Sequence, residues 1–367
     1  MSETDAAVLG TSDASGCWAW AGARLSAEGR VDATQRYPDL TWDERRERLT
    51  EEEAAWLAAQ WDPPRPGSRF EVRFATGPDA KKVRAALLVR VLAPTPGLAR
   101  NLARERLLRA AGHHGAMPPH VGAGSIDDEA ELRTWLEYPG RLGSIVELRK
   151  HLSVGRVVRG GATLPYAVCH GYFDSGAAWD AWWRKFADVE VPAVLTVGFE
   201  TYDAGSGPFR RQLRQRAQEL EGLAVAGVPS PLNPNPVPPE PAARSALPGY
   251  RRALMRYAGR CFRIRVTLAS AEPLPPTLIE SLVRTVSNVE GAVHPVSLVD
   301  GDYDDAVREH RSLGAVWPTL PFDALDQLLH SLADVGESAS VLSLPVHWPG
   351  MPPVFDAIGS ELRPERG

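Results

Sequence analysis

From Arg69 the apolar positions of the chain alternate. Phe70, Val72 and Phe74 are separated by charged residues, the period of a half-buried strand. Gly77-Pro78-Asp79 supplies a turn, and the apolar run Ala85 to Leu92 is predicted to pair back as a hairpin. Pro94-Thr95-Pro96 ends that strand and opens a helix over about 96–110. Strand-like runs recur at 143–152 and 164–173. Trp179, Trp182, Trp183 and Phe186 then fall at i, i+3, i+4 and i+7, with Asp180, Arg184 and Lys185 on the opposite side. That spacing predicts an amphipathic helix with an aromatic core face. A strand at Val191 to Tyr202 leads through Gly205-Ser206-Gly207-Pro208 into a second helix, with Phe209, Leu213, Ala217, Leu220 and Ala224 inward. Beyond it the pattern predicts a helix over 247–257, a strand over 261–268, a helix near 276–288 and a strand near 293–299. Helices near 303–312 and 322–333 complete the series.

Boundaries follow from what interrupts this pattern. Residues 1–36, rich in Ala, Gly, Ser and Asp, are expected to form a mobile or loosely docked arm. Residues 37–66 carry two capping-box patterns, Thr41–Glu44 and Thr50–Glu53, and so predict two short acidic helices, about 42–48 and 51–60. Residues 67–228 form an α+β domain. Seven prolines between 229 and 241 fix φ and remove amide donors, so 229–245 is expected to be an extended linker. A smaller α+β domain follows at 246–340, then a Pro-punctuated tail at 341–367. The fold class is therefore α+β: repeated strand–loop–helix units on antiparallel or mixed sheets, in two subdomains joined by the proline spacer.

Composition narrows this picture without naming a function. The 367 residues are 44% apolar and 24% charged, with a net charge of −5. No run approaches the ~20 apolar residues of a membrane span. Three widely spaced cysteines, and no secretory signal at the start, point to a reducing cytoplasmic setting. All but four of the basic residues are arginine, and residues 1–66 hold 13 acidic against 7 basic groups. No basic stripe emerges, so nucleic-acid binding has no direct support.

Candidate chemistry is sparse. The chain lacks the Gly-rich phosphate loop, the HExxH and CxxC patterns and the GxSxG elbow, so no catalytic residue or cofactor is assigned. His113, His114 and His120 form a histidine-rich loop whose metal binding the sequence leaves open. Asp300, Asp302, Asp304 and Asp305 read as the acidic start of a helix, because the glycine and glutamate of a calcium loop are missing. Gly205-Ser206-Gly207 reads as a helix entry and not as a phosphate site. Trp42, Trp56 and Trp61 lie beside the excess negative charge, and His347 and Trp348 lie between prolines. These five are the candidate partner-binding residues, with internal packing the alternative.

One resemblance rests on the order of features after residue 190. VPAVLTVGFETY precedes a basic amphipathic helix, and YAGRCFRIRVTLAS follows the spacer. EHRSLGAVWPTLP and SASVLSLPVHWPGMPPVF come after. This order resembles the α+β region N-terminal to the ATPase core of HerA/FtsK-superfamily translocation motors, including type IV secretion ATPases. The phosphate loop of such motors is absent from this sequence. The resemblance implies a non-enzymatic adaptor working beside a separately encoded ATPase in conjugation, secretion or DNA-directed defence. The alternative is a small-molecule enzyme or ligand-binding protein of unfamiliar α+β type. A deep pocket with convergent polar groups would favour that alternative. Self-association is left open.

Overall fold

A computed structural model describes residues 6–27, 36–77, 81–112, 117–159, 162–169, 171, 177–227, 238–287, 289–314, 317, 324–348 and 351–356. Among these the strands are β1 (Val8–Asp13), β2 (Gly16–Ser26), β3 (Arg69–Thr76), β4 (Arg84–Ala93), β5 (Gly122–Ser125) and β6 (Ser144–Lys150). They continue as β7 (Leu152–Arg159), β8 (Ala162–Cys169), β9 (Ala193–Asp203), β10 (Arg260–Ser270), β11 (Val293–Ser297) and β12 (Leu332–Ala333). The helices are α1 (Trp42–Ala59), α2 (Pro96–Ala111), α3 (Glu129–Glu137), α4 (Ala177–Ala187) and α5 (Pro208–Ala224). After them come α6 (Pro241–Arg256), α7 (Pro276–Val286), α8 (Asp300–Ser312), α9 (Ala324–Ser331) and α10 (Val335–Ser340).

The fold is α+β. Ten strands form one antiparallel sheet in the order β1-β2-β4-β3-β9-β10-β6-β11, with β5 beside β2 and β12 beside β10. One sheet face carries Phe70, Val72, Phe74, Leu195, Val197, Phe199, Phe262, Ile264 and Val266. In β3 and β9 this register places Phe70 opposite Phe199, with the rings stacked at 4.9 Å. Helices α1, α2, α4 and α7 bury that face, and Trp179, Trp182, Trp183 and Phe186 of α4 reach it as their spacing requires. The other face meets α3 and α8 through Leu132, Trp135, Leu136 and Ala306. A third core, at one end, joins α5, α6 and α9 to the β7–β8 hairpin.

Four expectations are corrected. Residues 8–26, read as part of an arm, form β1 and β2; Ala19, Ala21 and Ala23 are fully buried there, small side chains that carry little strand signal. Residues 42–59 form one helix and not two. Its Thr41–Glu44 capping box is made, but Thr50 bonds back to the Arg46 carbonyl at 3.1 Å and caps nothing. The linker is shorter than 229–245, because α6 starts at Pro241, a residue suited to the first helical position, and tolerates Pro248 inside. Finally, β10 lies beyond the spacer yet pairs along its whole length with β9. One sheet therefore runs through both expected subdomains; local patterns do not encode such non-local pairing. Residues 228–237, which hold four of the seven spacer prolines, lie outside the described residues. Where Gly205 and Ser206 enter α5, their amides donate to Asp203 Oδ1 at 2.9 and 3.3 Å, so a side-chain anion already occupies that turn.

The described part of the Pro-punctuated tail packs on the rest of the chain. Val341, Leu342, Leu344, Val346 and Trp348 are buried. Leu344 N–H donates to Glu53 Oε1 at 3.0 Å, and Arg46 donates to Ser343 Oγ at 3.2 Å, so the tail lies along α1. Farther on, Val83 N–H donates to the Val354 carbonyl at 2.8 Å and Arg84 pairs with Asp356 at 3.0 Å. Prolines keep this strap extended while its apolar side chains pack inward. No described helix is long and apolar enough to cross a membrane.

Candidate functional site

Helix α6 crosses the hairpin strand β8 and leaves a cleft of about 450 Å³. Ala167 and Val168 of β8, Tyr250 and Ala253 of α6, Leu329 of α9 and Val289 give it apolar walls. Met255 and Val289, 72% and 44% exposed, make its rim apolar as well. The volume lies within the ~300–1,000 Å³ common for small-molecule sites. A second hollow, about 530 Å³, lies between β1, α3 and α8, but all its charged lining residues are on the solvent surface.

The polar end of the cleft is built on a buried ion pair. Lys150, the last residue of β6, is fully buried. Its Nζ donates to Glu337 Oε2 at 3.1 Å, to the Tyr257 hydroxyl at 3.2 Å and to the Leu332 carbonyl at 2.5 Å. The Tyr257 hydroxyl donates in turn to Glu337 Oε2 at 3.0 Å. Arg256 donates to Glu337 Oε1 at 3.0 Å, and its Nε faces Asp334 Oδ2 at 3.3 Å. Asp334 also caps α10 by accepting from Glu337 N–H at 2.7 Å. Gly171 is required beside this group, since a Cβ there would collide with the Glu337 carboxylate and the Arg256 guanidinium. Lys150 and Arg256 both donate to the buried Glu337, the condition for burying a carboxylate, and Arg256 also ion-pairs with the half-buried Asp334.

That satisfaction decides what the cleft can do. Both Glu337 oxygens already accept hydrogen bonds from the protein's own groups. Cys261, behind the cleft, is fully buried; burial, then the Asp334 and Glu337 carboxylates, push its thiol up to about 12. It is not a nucleophile at neutral pH. What remains is an apolar cavity with cationic Arg252 and Arg256 and a fixed phenol along one side.

The residues singled out in the sequence lie elsewhere. Trp56 is 3% exposed and donates to the Ala110 carbonyl at 3.0 Å. Trp61 donates to the carbonyls of Tyr202 and Cys261 at 3.3 and 3.2 Å, bridging β9 and β10. Trp42 and Trp348 pack on each other with ring centroids 5.5 Å apart, beside Leu49 and Val346. These four tryptophans serve internal packing, and of the five candidates only His347 is exposed. Sequence reasoning passed over Lys150, Tyr257 and Glu337. The available signal was a lysine in a strand of a chain that otherwise prefers arginine, because a compact ammonium suits a buried three-way contact.

His113 and His114 lie outside the described residues. His120 is buried between two carboxylates, with Nδ1 3.4 Å from Glu52 and Nε2 3.5 Å from Glu53. Burial alone would lower its pKa, but Glu52 and Glu53 outweigh burial and raise it. Burial raises Glu52, and His120, Tyr37 and Arg36 more than reverse that, so it is lowered. A raised histidine stabilises fully below its unfolded value near 6.5 and loses that contribution as pH rises through the folded value. A lowered glutamate stabilises above about 4.5 and loses its share as pH falls through the folded value. His120→Gln is therefore expected to cost most stability between those limits. The gap to wild type in denaturant unfolding narrows as pH is raised from about 6 to 9; a constant gap would remove the charged pair from the account.

Comparison with known proteins adds no family to this geometry: no protein-family model matches the chain, and no curated protein matches it.

Proposed function

We propose that the chain is a non-enzymatic binding protein whose α6–β8 cleft takes a small, mainly apolar ligand carrying one acidic group. The cleft is the observation that carries this reading: about 450 Å³, apolar walls, and Arg252, Arg256 and Tyr257 on one side. An apolar body gains by leaving water, at roughly 25 cal/mol per Å² buried. An acidic head suits two guanidiniums, one of them half-buried. The adaptor role implied by the motor resemblance needs an exposed aromatic surface, and four of the five residues named for it pack internally. Its ATPase partner rests on the order of strands and helices alone, so the ligand-binding alternative is preferred.

The test uses 8-anilinonaphthalene-1-sulfonate, whose fused rings and sulfonate match the proposed class. Its fluorescence should rise on binding the native chain, and decanoate should displace it. Ala253→Trp, which fills the cleft, should weaken binding at least ~10-fold with the circular dichroism spectrum unchanged, and Arg252→Ala should weaken it less. Equal binding by wild type and Ala253→Trp would place the dye elsewhere and sink the proposal.

A further inference from the structure

The sheet face under α8 carries an unusual cargo for a buried surface. Arg69, Glu71 and Arg73 of β3, Arg90 of β4, Glu147 and Arg149 of β6, Glu200 of β9, and Arg263 and Arg265 of β10 all point to it. Six arginines thus stand against three glutamates, and Arg69, Glu71, Arg73, Glu147 and Arg265 are each less than 9% exposed.

Four of the guanidiniums are well occupied. Arg73 donates to the carbonyls of Trp135, Leu136 and His310 and to Glu71. Arg90 donates to the Gly67 and Ser312 carbonyls, each at 3.2 Å. Arg149 holds Glu147 at 2.8 Å. Arg263 donates to Ser331 Oγ at 3.2 Å and stacks on Trp317 at 3.9 Å.

Arg69 and Arg265 are different. Arg69 lies over the Trp317 ring at 5.7 Å and faces Glu71 at 3.4 Å, and its Nε and Nη1 have no hydrogen-bond acceptor. Arg265 touches Glu147 at 3.4 Å, and its Nε has none either. Both flank one point. Arg265 is directly opposite Gly198 in the β9–β10 register, and Arg69 lies over Gly198 so closely that a Cβ would collide with its guanidinium. Two residues along β9 on the same face, the buried Thr196 hydroxyl also lacks a partner. Donors left unsatisfied at this depth are costly, and more so when charged. Burial brings Arg69 down to about 10, with Glu71 opposing the shift and the neighbouring Arg265 and Arg90 adding to it.

We infer that the sheet face at Gly198 is a binding site for one compact oxyanion, a carboxylate or phosphate group, held by Arg69, Arg265 and Thr196. An oxyanion supplies the acceptors these three groups lack and offsets the excess of arginine over glutamate. Gly198 makes room for the Arg69 guanidinium itself, which covers it. Half-buried Arg90, Glu200, Arg263 and Trp317 occupy the adjoining rung, so solvent lies on that side. The site shares no residue with the α6–β8 cleft and stands or falls separately from it.

Thermal unfolding in inorganic phosphate, in acetate and in chloride of equal ionic strength tests the site. Phosphate or acetate should raise the melting temperature by ~2–4 °C over chloride, the larger shift naming the preferred group. Thr196→Val, which keeps size and removes only the hydroxyl, should reduce that shift. Arg69→Gln should abolish it, with Arg265→Lys as the milder variant should Arg69→Gln not fold. Equal melting in all three salts would overturn the inference, as would a shift that Thr196→Val and Arg265→Lys both leave intact.

Discussion

Glu337→Leu should destabilise the chain by about 3–5 kcal/mol, because it leaves the Lys150 ammonium buried without its counter-ion. Lys150 is fully buried and has two neutral acceptors besides, the Tyr257 hydroxyl and the Leu332 carbonyl, which stabilise a cation far less than a carboxylate does. Arg256 keeps Asp334 as a partner, so the loss is concentrated on Lys150. Lys150→Met combined with Glu337→Leu should recover much of the deficit, since both charges are then absent and no ion is stranded. Chemical denaturation of the two single variants and the double variant measures the cycle. A single-variant cost below about 1 kcal/mol would mean that water reaches Lys150.

Trp348→Ala is the second large effect, about 3–4 kcal/mol. The indole lies on Trp42, closes a small cluster with Leu49 and Val346, and its Nε1 donates to Asp180 Oδ1 at 3.3 Å. Asp180 also faces Arg46 at 3.5 Å, so the tail, α1 and α4 meet at one carboxylate. Removing the ring opens a cavity and loosens that junction together. His347→Ala, next door and exposed, should change stability by less than ~0.5 kcal/mol. The pair separates internal packing from surface display at adjacent residues. Equal, small effects would return Trp348 to the list of surface candidates.

Where the sequence was legible, a single element carried its own evidence. The α4 tryptophans and the α5 face Phe209, Leu213, Ala217, Leu220 and Ala224 are buried as their helical spacing requires. The β3–β4 hairpin follows from alternation at Phe70, Val72 and Phe74 and an apolar run at Ala85 to Leu92 on the other side of a turn signal. What escaped depends on distant partners. The alanines of β2 form a strand because Ile126 and Leu132 crowd Gly22 on one side and the core takes Ala19, Ala21 and Ala23 on the other. Lys150 and Glu337 are 187 residues apart, and nothing near either residue announces the other. The orphaned donors at Gly198 come from β9, β3 and β10, and only the register brings them together. Prolines in the tail signalled an irregular path correctly, but irregular backbone is not the same as exposed backbone.

That tail has a consequence for the chain during synthesis. Its contacts reach back about three hundred residues: Ser343 and Leu344 to α1, and Val354 and Asp356 to Val83 and Arg84. Emerging from the ribosome in order, α1 and α4 stand in the cytosol or any other aqueous compartment with Leu49, Trp42 and part of the Phe74–Trp183 pair uncovered until residues 341–356 follow. Closure of such distant contacts is intrinsically slow. A chain arrested before residue 341 therefore leaves an apolar groove where the finished molecule has a strap.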